Sequence, residues 1–366
     1  MRPGGCLLKI TTIQGMDAEG FGWLAGNRQG LSGISTADIA DHNSRVLIAT
    51  LRENGAMSRR ALAAALGLSE TAIAGIVRRL MGAGYLEQRK RSDGGRGTVF
   101  FVVEGAATGI GIHLTSTGAG LAHTDIGGHL LAEGTAATAS DAEAWVTAAR
   151  GGGGKLAGLA IACDEAMLDE ARALARRFVD IRVDWVRDTE AALRCEQLCY
   201  HTRTERGLAV ILLDETVRAG TMFSGRFFQG AHGRAGAIGA MRPASHVSTL
   251  SEVASATSYA LHMKDGKDEA AWIAHAASRL LDAIMAISGF VSPDAVRIGG
   301  RLPDTVLDRL IAEIVADKAL KAGHFIAADW IPDVTRLEGG MRAIARGAAM
   351  VPLRYALLPL ETAPFD

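Results

Sequence analysis

Cysteine is scarce in this chain of 366 residues, and its scarcity excludes two kinds of fold. Only four cysteines occur, and only Cys195 and Cys199 are near each other, at helical spacing and without suitably placed histidines. A disulfide framework or a zinc framework needs closer and more regular thiols. The sequence therefore predicts reduced thiols and a cytoplasmic protein.

Long apolar runs and a strong net charge are missing as well. No uncharged run approaches the length of a membrane span, and the apolar stretch at the start is too short for a signal peptide. Because the formal net charge is −1, any affinity for nucleic acid has to come from a local basic surface. We therefore expect no membrane partner, and the distribution of charge along the chain becomes decisive.

The overall composition and the length are typical of a folded protein with more than one domain. Hydrophobic residues make up 48% of the chain and charged residues 22%, and the 44 glycines are well above the usual share. The length exceeds that of a usual single domain, so two or three units with many turns are expected.

Residues 34–104 have the pattern of a winged helix-turn-helix domain, behind a loose, glycine-rich leader at residues 1–33. A helix is predicted from Ser35 to Arg52, and Asn54 followed by a glycine ends it. This first helix is expected to support the two that follow.

A tight turn joins the next two helices. Ser58 is the predicted N-cap of a helix at 59–66. Gly67 supplies the left-handed residue of the turn, and Ser69 caps a third helix that ends near Gly82 to Gly84. Two short helices at this spacing, followed by a hairpin, form the geometry that places one helix in the major groove of DNA.

The hairpin after the third helix is the predicted wing, with strands at 85–87 and 98–103 around a turn at 92–95. Between residues 41 and 104, ten basic and six acidic residues leave an excess of four positive charges. Phosphate contacts by such bases release counterions and supply most of the affinity for DNA. The residues predicted to contact DNA are Arg59, Arg60, Ser69, Glu70, Thr71, Arg78, Arg79, Arg89, Lys90, Arg91 and Arg96.

The same features have ordinary structural alternatives. A basic run such as residues 89–91 is often only a solvated face, and some helix-turn-helix domains serve protein contacts. The third helix also places Ala72, Ala74 and Gly75 on its expected outer face, which leaves few polar side chains to read bases. We therefore expect phosphate and wing contacts to contribute more than direct base readout.

Residues 105–366 have the texture of an α/β body, in which strands alternate with helices. The last third is predicted to be helical apart from a strand at 295–298. Other strands are predicted at 109–114, 120–124, 129–131, 156–162, 181–186 and 207–213, and helices at 141–149, 165–177 and 189–200.

Several segments together resemble the ROK family of repressors, open reading frames and kinases. The stretch GAMSRRALAAALGLSETAIAGIVRRLMGAGYLEQ, with the later GGRG, is similar to the N-terminal domain of ROK repressors. The body segments that resemble the family are GIHLTSTGAGLAHTDIGG, VDWVRDTEAAL, GRFFQGAHGRAGAIGA, VRIGGRLP and MRAIARGAAMVPL. The resemblance covers about residues 35–355 and implies a winged helix-turn-helix followed by a two-lobed, actin-like ATPase fold that forms homodimers or homotetramers.

The chain departs from the family where its kinases bind ATP. Family kinases have a glycine-threonine turn after their first strand, where this chain has HLTS at 113–116. Their second phosphate turn is replaced by DETVRAG at 214–220, whose two carboxylates would repel a triphosphate. ATP binding is therefore not expected, and the resemblance predicts no cofactor.

The segment that holds the sugar in the family is only partly kept. Asp188 matches the family's general base, although Arg187 beside it would weaken that base if it folded inward. Asp188 could instead cap the helix at 189–200, and His232 could serve only as a local hydrogen-bonding residue. The residues that the resemblance suggests for a sugar-like effector are Asp188, Glu190, His232 and Glu252.

The structural zinc site of the family is also not expected. The turn that carries its histidine reads AIGA at 237–240, and the loop SHVSTL at 245–250 has no cysteine. The sugar-binding glutamates of these motifs fall on Ala237 and Ser251, with Glu252 next to the second position.

The interpretation favoured by these features is a DNA-binding transcriptional regulator, a repressor of carbohydrate-related genes. Its catalytically inactive, kinase-like body would pair two heads on double-stranded DNA. The enzyme alternative is a ROK sugar kinase with an appended head, but the residues for phosphoryl transfer are missing. A protein-interaction module is the third alternative, and a sugar, another ligand, a protein partner or no effector all stay open.

Overall fold

The computed structural model describes residues 36–90, 97–152, 154–242, 248–321 and 332–359. Its N-terminal part, called the head below, is a three-helix unit with a small antiparallel sheet in the order β1-β3-β2. The elements of the head are α1 (Thr36–Asn54), β1 (Met57–Ser58), α2 (Arg59–Leu66), α3 (Glu70–Gly82), β2 (Leu86–Lys90) and β3 (Thr98–Val102).

Local signals in the sequence set the ends of these helices. The Ser58 hydroxyl accepts from the N–H of Ala61 at 3.2 Å, and the Ser69 hydroxyl accepts from that of Ala72 at the same distance. Gly67 has φ +64°, the left-handed conformation that glycine adopts without steric cost. The predicted helix-turn-helix is therefore confirmed in its elements and caps.

One element of the head was not predicted. Met57 and Ser58 pair with Phe100 and Val99, so the segment between the first two helices adds a short third strand to the wing. The leader at 1–33 and the wing turn at 92–95 lie outside the described residues.

The first lobe of the body is a five-stranded sheet in the order β6-β5-β4-β7-β8. Strands β4, β7 and β8 are parallel to one another, whereas β5 runs antiparallel to its two neighbours, β4 and β6. Its elements are β4 (Ala107–Thr115), β5 (Gly118–Asp125), β6 (Leu130–Ala136), α4 (Ala139–Arg150), β7 (Lys155–Cys163), α5 (Leu168–Ala175) and β8 (Val183–Arg187). Helix α6 (Asp188–Cys199) leads out of this lobe.

The second lobe repeats that topology with the order β11-β10-β9-β12-β13. A central strand again carries an antiparallel meander on one side and two parallel strands on the other. Its elements are β9 (Leu208–Leu213), β10 (Val217–Phe223), β11 (Arg226–Phe227), α7 (Leu250–Ala254), α8 (Ala256–Lys264), α9 (Glu269–Val291), β12 (Ala295–Gly300), α10 (Asp304–Lys321) and β13 (Asp333–Arg336). Such a duplicated lobe is the architecture that the sequence resemblance implied.

Two strand assignments from the sequence need correction. The sequence predicts a turn over 214–220, but the turn ends at Thr216 and β10 begins at Val217, where Val217 pairs with Leu213. The last third of the chain contains β13 in addition to the predicted strand, because a parallel edge strand of four residues leaves little periodic signal.

The closing helix, α11 (Arg342–Leu357), packs against α6 and the first-lobe sheet. A Cβ on Gly111 would lie 2.0 Å from the carbonyl oxygen of Ala345, so only glycine allows helix and sheet to approach this closely. One apolar cluster around these two helices includes side chains from both lobes, such as Ala160 and Val210. The two lobes are thus joined by a continuous core beneath the cleft between them.

Helix α9 is the only described helix long and apolar enough by itself to cross a membrane. Trp272, Ile273 and Leu280 on this helix are buried in the core of the second lobe, and so is Arg279. This burial is typical of a core helix of a folded domain.

Candidate DNA interface and interlobe cleft

Helix α3 presents its polar side chains on the face opposite the core of the head. Ile73, Val77 and Leu80 are buried, whereas Thr71 and Arg78 are exposed. The predicted DNA-contacting residues of the helix-turn-helix that are exposed are Arg59, Arg60, Ser69, Glu70, Thr71, Arg78 and Arg79. The structure therefore brings these residues to the surface of one small domain.

Two of these side chains also have structural duties. Ser69 caps α3, and Arg79 donates from Nη2 to the buried hydroxyl of Ser44 on α1 at 2.6 Å. The Arg79 bond orients α3 against α1 and turns part of that guanidinium toward the protein. The α3 side chains that remain to contact bases are therefore mainly those of Glu70, Thr71 and Arg78.

The first wing strand ends in two exposed basic residues. Arg89 and Lys90 are exposed on β2, and the Arg89 guanidinium lies 5.3 Å from the centre of the Phe101 ring on the neighbouring strand. This cation–π contact holds the arginine at the strand surface. Arg91 and Arg96 lie outside the described residues, so their predicted contacts remain predictions.

Two head arginines that add to the basic balance are turned into the protein instead. Arg45 on α1 donates from Nη1 to the carbonyl oxygens of Tyr355 and Leu358, at the C-terminal end of α11. These last-turn carbonyls lack helical partners and carry partial negative charge, so a guanidinium stabilises them. The excess of positive charge in the head therefore overstates what DNA can reach.

Arg52, also on α1, contacts the first lobe. Its Nη2 donates to the carbonyl oxygens of Leu198 at 2.8 Å and Gly127 at 3.3 Å. Burial lowers the pKa of Arg52, although nearby Cys199 and Asp125 raise it. Apolar residues such as Leu51 and Met350 form a single cluster across the same contact. We call this contact of α1 with α6, α11 and the 127–128 turn the joint.

Arg218 dominates the cleft between the lobes. From β10 of the second lobe it reaches Asp188, at the start of α6, with Nη2 at 2.6 Å and Nε at 3.0 Å. It also pairs with Asp164, after β7, at 3.2 Å and with Asp214 at 3.5 Å. Burial alone would lower the pKa of Arg218, but Asp188 and the other carboxylates raise it above its ordinary value.

The hydrogen bonds that the Asp188 carboxylate accepts change the chemistry predicted for it. One carboxylate oxygen accepts from Arg218, and the other accepts from the N–H of Thr189 at 2.7 Å. Arg187, which the sequence suggested as its neighbour, donates to Glu165 at 3.0 Å. Asp188 is 3% exposed and is the first residue of α6. Both of its oxygens are engaged, so it is poorly placed to accept a proton from a substrate.

A second guanidinium neutralises the acidic turn at 214–216. Arg301, after β12, pairs with Asp214 and Glu215 and donates to Thr117 of the first lobe at 3.0 Å. Ser116 donates to Glu215, and this hydrogen bond, together with Arg301, lowers the pKa of Glu215. The two carboxylates are therefore paired rather than simply repulsive, and their pairs tie one lobe to the other.

His113 lies beneath this network, at the end of β4. It is 5% exposed, and burial lowers its pKa to about 4 even though Asp188 and Asp214 raise it. The imidazole is therefore neutral at physiological pH, at the position where family kinases have a small residue near phosphate. A buried neutral ring offers neither the space nor the charge that a phosphate needs.

Open space remains beside Arg218. A cavity of about 500 Å³ lies between the lobes, with Glu165, Thr189, Arg234 and Ala237 in its lining. This volume falls in the range of small-molecule sites. Among the described residues, no group of three or more His, Cys, Asp or Glu side chains is arranged to hold a metal ion.

Of the four predicted effector residues, the structure brings Asp188 to the cleft lining. Glu190 pairs with Arg194 at 3.2 Å, and the exposed Glu252 accepts from the N–H of Thr249 in a capping box that begins α7. His232 lies in a short 3-10 turn at 231–233. A ligand role for these three residues stays a prediction.

Sequence reasoning missed the residues that organise both regions. Arg218 and Arg301 were not singled out, because each becomes significant only when the lobes fold together. A weak signal was available at Arg218, since it is a charged residue between two buried apolar residues, Val217 and Ala219. Arg45 and Arg52 were counted only as head charges, because nothing local shows that α1 packs on α11.

Comparisons with known proteins agree with this architecture. The family profile for winged helix-turn-helix DNA-binding domains matches residues 40–87. The y4fQ protein of Sinorhizobium fredii, described as uncharacterized, is 28% identical over 158 residues. That alignment covers 40% of this chain and spans only 40% of the relative.

Solved structures match over more of the chain. A ROK-family transcriptional regulator described as a homologue of E. coli Mlc has a TM-score of 0.67 at 16% identity, covering 87% of this chain and 98% of that one. A ROK-family protein from Streptococcus pneumoniae, solved with sucrose, has a TM-score of 0.53 at 19% identity and covers 68% and 98%. The ROK hexokinase of Thermus thermophilus has a TM-score of 0.50 at 18% identity and covers 66% and 97%. The chain therefore joins a winged helix-turn-helix of the DNA-binding class to the two-lobed fold of ROK-family proteins.

Proposed function

We propose that this chain is a cytoplasmic transcriptional regulator, a repressor of carbohydrate-related genes, whose kinase-like body transfers no phosphoryl group. The observation that carries the proposal is the combination of two sites in one chain. The head exposes cations on a helix-turn-helix and its wing, while in the cleft Arg218 binds the carboxylate that a ROK kinase would use as its base.

The electrostatics of the head support DNA as its partner. Among the described residues of the head, the exposed cations are Arg59, Arg60, Arg78, Arg79, Arg89 and Lys90. Each phosphate contact contributes about 0.9 to the slope of log affinity against log salt. Since α3 offers few polar side chains toward bases, we expect a steep salt dependence and specificity that depends in part on the shape of the DNA.

The body would serve to pair two heads. Dimeric helix-turn-helix proteins place their recognition helices about 34 Å apart, one turn of DNA. The joint supports this role, because Arg45 and Arg52 fix the head on α11 and α6 rather than leaving it on a free linker. A homodimer or homotetramer would therefore present heads at a defined spacing.

Fluorescence anisotropy with the DNA upstream of the protein's own gene tests this proposal. We expect specific binding that weakens with salt, and Arg89→Ala should lower the magnitude of the salt slope by about 1. The matched control is Arg176→Ala, which removes an exposed arginine from the end of α5 in the first lobe. Absence of any DNA binding at low salt would favour the protein-interaction module instead.

A sugar kinase is the second candidate, since Asp188 occupies the cleft of a fold that kinases share. Phosphoryl transfer depends on positioning and on neutralisation of the transferred charge. Of the arginines that line this cleft, Arg218 and Arg301 are already committed to carboxylates. An ATP-coupled assay over hexoses and amino sugars should show no turnover; turnover that Asp188→Asn abolishes would establish the kinase.

An effector of sugar size is part of the same proposal. The cavity beside Arg218 has the volume for it, and the streptococcal ROK protein was solved with sucrose. A ligand that binds only the folded protein raises its melting temperature. Thermal-shift screening with sugars and sugar derivatives should therefore find a stabilising compound, and substitution of Thr189 in the cavity wall by Val should weaken its effect.

A further inference from the structure

The joint between head and body contains a pair of thiols. Cys195 and Cys199 lie one turn apart on α6, close enough for each thiol to shift the pKa of the other. Cys195 is buried, whereas Cys199 is half-buried and is the last residue of the helix. Cys199 is therefore the outer and more exposed residue of the pair, and Cys195 the inner one.

Two guanidiniums bracket the outer thiol. Arg52 of the head donates to the carbonyl oxygen of Leu198, and Arg346 of α11 donates to the hydroxyl of Tyr200 at 3.1 Å. The hydrogen bond from Cys195 lowers the pKa of Cys199, and Arg346 and Arg52 lower it further, against the opposing effect of burial. The Nε of Arg52 is buried and has no hydrogen-bond partner.

Cys199 also packs against two cores at once. It contacts the apolar cluster that contains the head residues Leu47 and Leu51 and the central cluster that contains Ala343 and Ile344 of α11. The adjoining turn leaves little room, because a Cβ on Gly128 would lie 3.4 Å from the Cys199 sulfur. A covalent change at this sulfur therefore has to disturb the contact between head and body.

We propose that Cys199 is an oxidation site for hydroperoxides, with Cys195 as its resolving thiol, and that oxidation loosens the head from the body. The thiolate is the reactive form of cysteine, and redox-sensing cysteines are accessible thiols with neighbouring cations and a second thiol nearby. The effect on DNA affinity rests on the proposed function, whereas the reactivity and the loosening do not.

The reaction needs no oxidant other than the hydroperoxide itself. The Cys199 thiolate attacks one oxygen of the hydroperoxide, a sulfur–oxygen bond forms, and the O–O bond breaks to release alkoxide or hydroxide, which takes up a proton. Cys195 then attacks the sulfenic sulfur, a disulfide forms, and water leaves. The two thiols are oxidised, and the hydroperoxide is reduced.

The disulfide does not fit the helix as it stands. Cβ atoms four residues apart on a helix are about 5–6 Å apart, and a disulfide needs about 3.5–4.5 Å. The last turn of α6 therefore has to change, which affects the bond from the N–H of Tyr200 to the carbonyl oxygen of Cys195. Leu198 moves with that turn, and its carbonyl is the acceptor that holds Arg52 of α1.

The test treats the purified full chain with hydrogen peroxide and then follows three quantities: oxidation by peptide mass mapping, amide hydrogen exchange in α1, and DNA affinity. We expect a Cys195–Cys199 disulfide, faster exchange in α1, and a loss of DNA affinity of about tenfold, the usual size of coupling between sites. A thiol reductant should reverse all three. Cys163→Ser is the control, since Cys163 is buried and burial raises its pKa to about 12.

Two variants separate the steps. Cys199→Ser should abolish every effect, and Cys195→Ser should stop at a sulfenic acid on Cys199 that dimedone traps. The proposal is overturned if Cys199 oxidises no faster than Cys163, or if the disulfide forms while exchange in α1 stays unchanged. If the untreated protein binds no DNA, the proposed function fails, and the mass and exchange measurements still decide the thiol site.

Discussion

Replacing Arg218 with alanine is the sharpest perturbation of the cleft. The guanidinium is 18% exposed on its side chain and lies against Asp188 and Asp164, whose side chains are 4% and 19% exposed. Removing one partner of a buried ion pair costs about 3–5 kcal/mol, because the remaining charge has no compensation. We expect the lower end of that range here, since Asp164 is partly solvated.

The assay is thermal unfolding followed by calorimetry. For a body of this size, about 3 kcal/mol corresponds to a fall in melting temperature of about 6 °C. The double variant Arg218→Ala, Asp188→Asn should recover more than half of the loss, because it removes the stranded charge as well. Arg234→Ala is the matched control, since Arg234 is an exposed arginine that lines the same cleft. If Arg218→Ala costs no more than Arg234→Ala, the account of the cleft is wrong.

Two further predictions concern stability. The pKa of His113 is about 4 in the folded protein, and unfolded histidine takes up its proton near 6.5, so the stability contributed by His113 falls as pH drops from 6.5 to 4. Urea unfolding should show a loss of roughly 2 kcal/mol between pH 7 and pH 5 that His113→Gln lacks; equal losses in both proteins would contradict this. Gly111→Ala should destabilise the protein by about 3 kcal/mol or prevent folding, because its Cβ would overlap the Ala345 carbonyl. Gly75→Ala, in open space on α3, should instead stabilise the helix by up to about 1 kcal/mol, and similar melting temperatures for the two variants would refute the packing argument.

The parts of the fold that the sequence predicted well are those governed by local chemistry. Ser58, Gly67 and Ser69 act within a few residues of their own positions, so their side-chain and backbone preferences are visible in the chain. The second helix of the head is accordingly predicted with the bounds it has, and the predicted end of the third, at 82–84, includes its observed end at Gly82. Strand β1, by contrast, exists only because β3 returns beside it.

The organisation of the cleft could not be predicted in the same way. Asp188 and Arg218 are 30 residues apart and belong to different lobes, and their contact depends on how the two sheets face each other. Sequence reasoning therefore assigned a partner to Asp188 from its neighbour Arg187. The missing motifs alone lead to the prediction that the body transfers no phosphoryl group, whereas the ion pairs that fill the cleft are visible only in the structure.

The central claim is that the head binds DNA as a regulator, and an unbiased selection from genomic fragments tests it most directly. The purified full chain is mixed with sheared genomic DNA at modest ionic strength, and bound fragments are sequenced. We expect a small set of enriched sites, each with two half-sites about one helical turn apart. Recovery of no enriched fragment would contradict the claim.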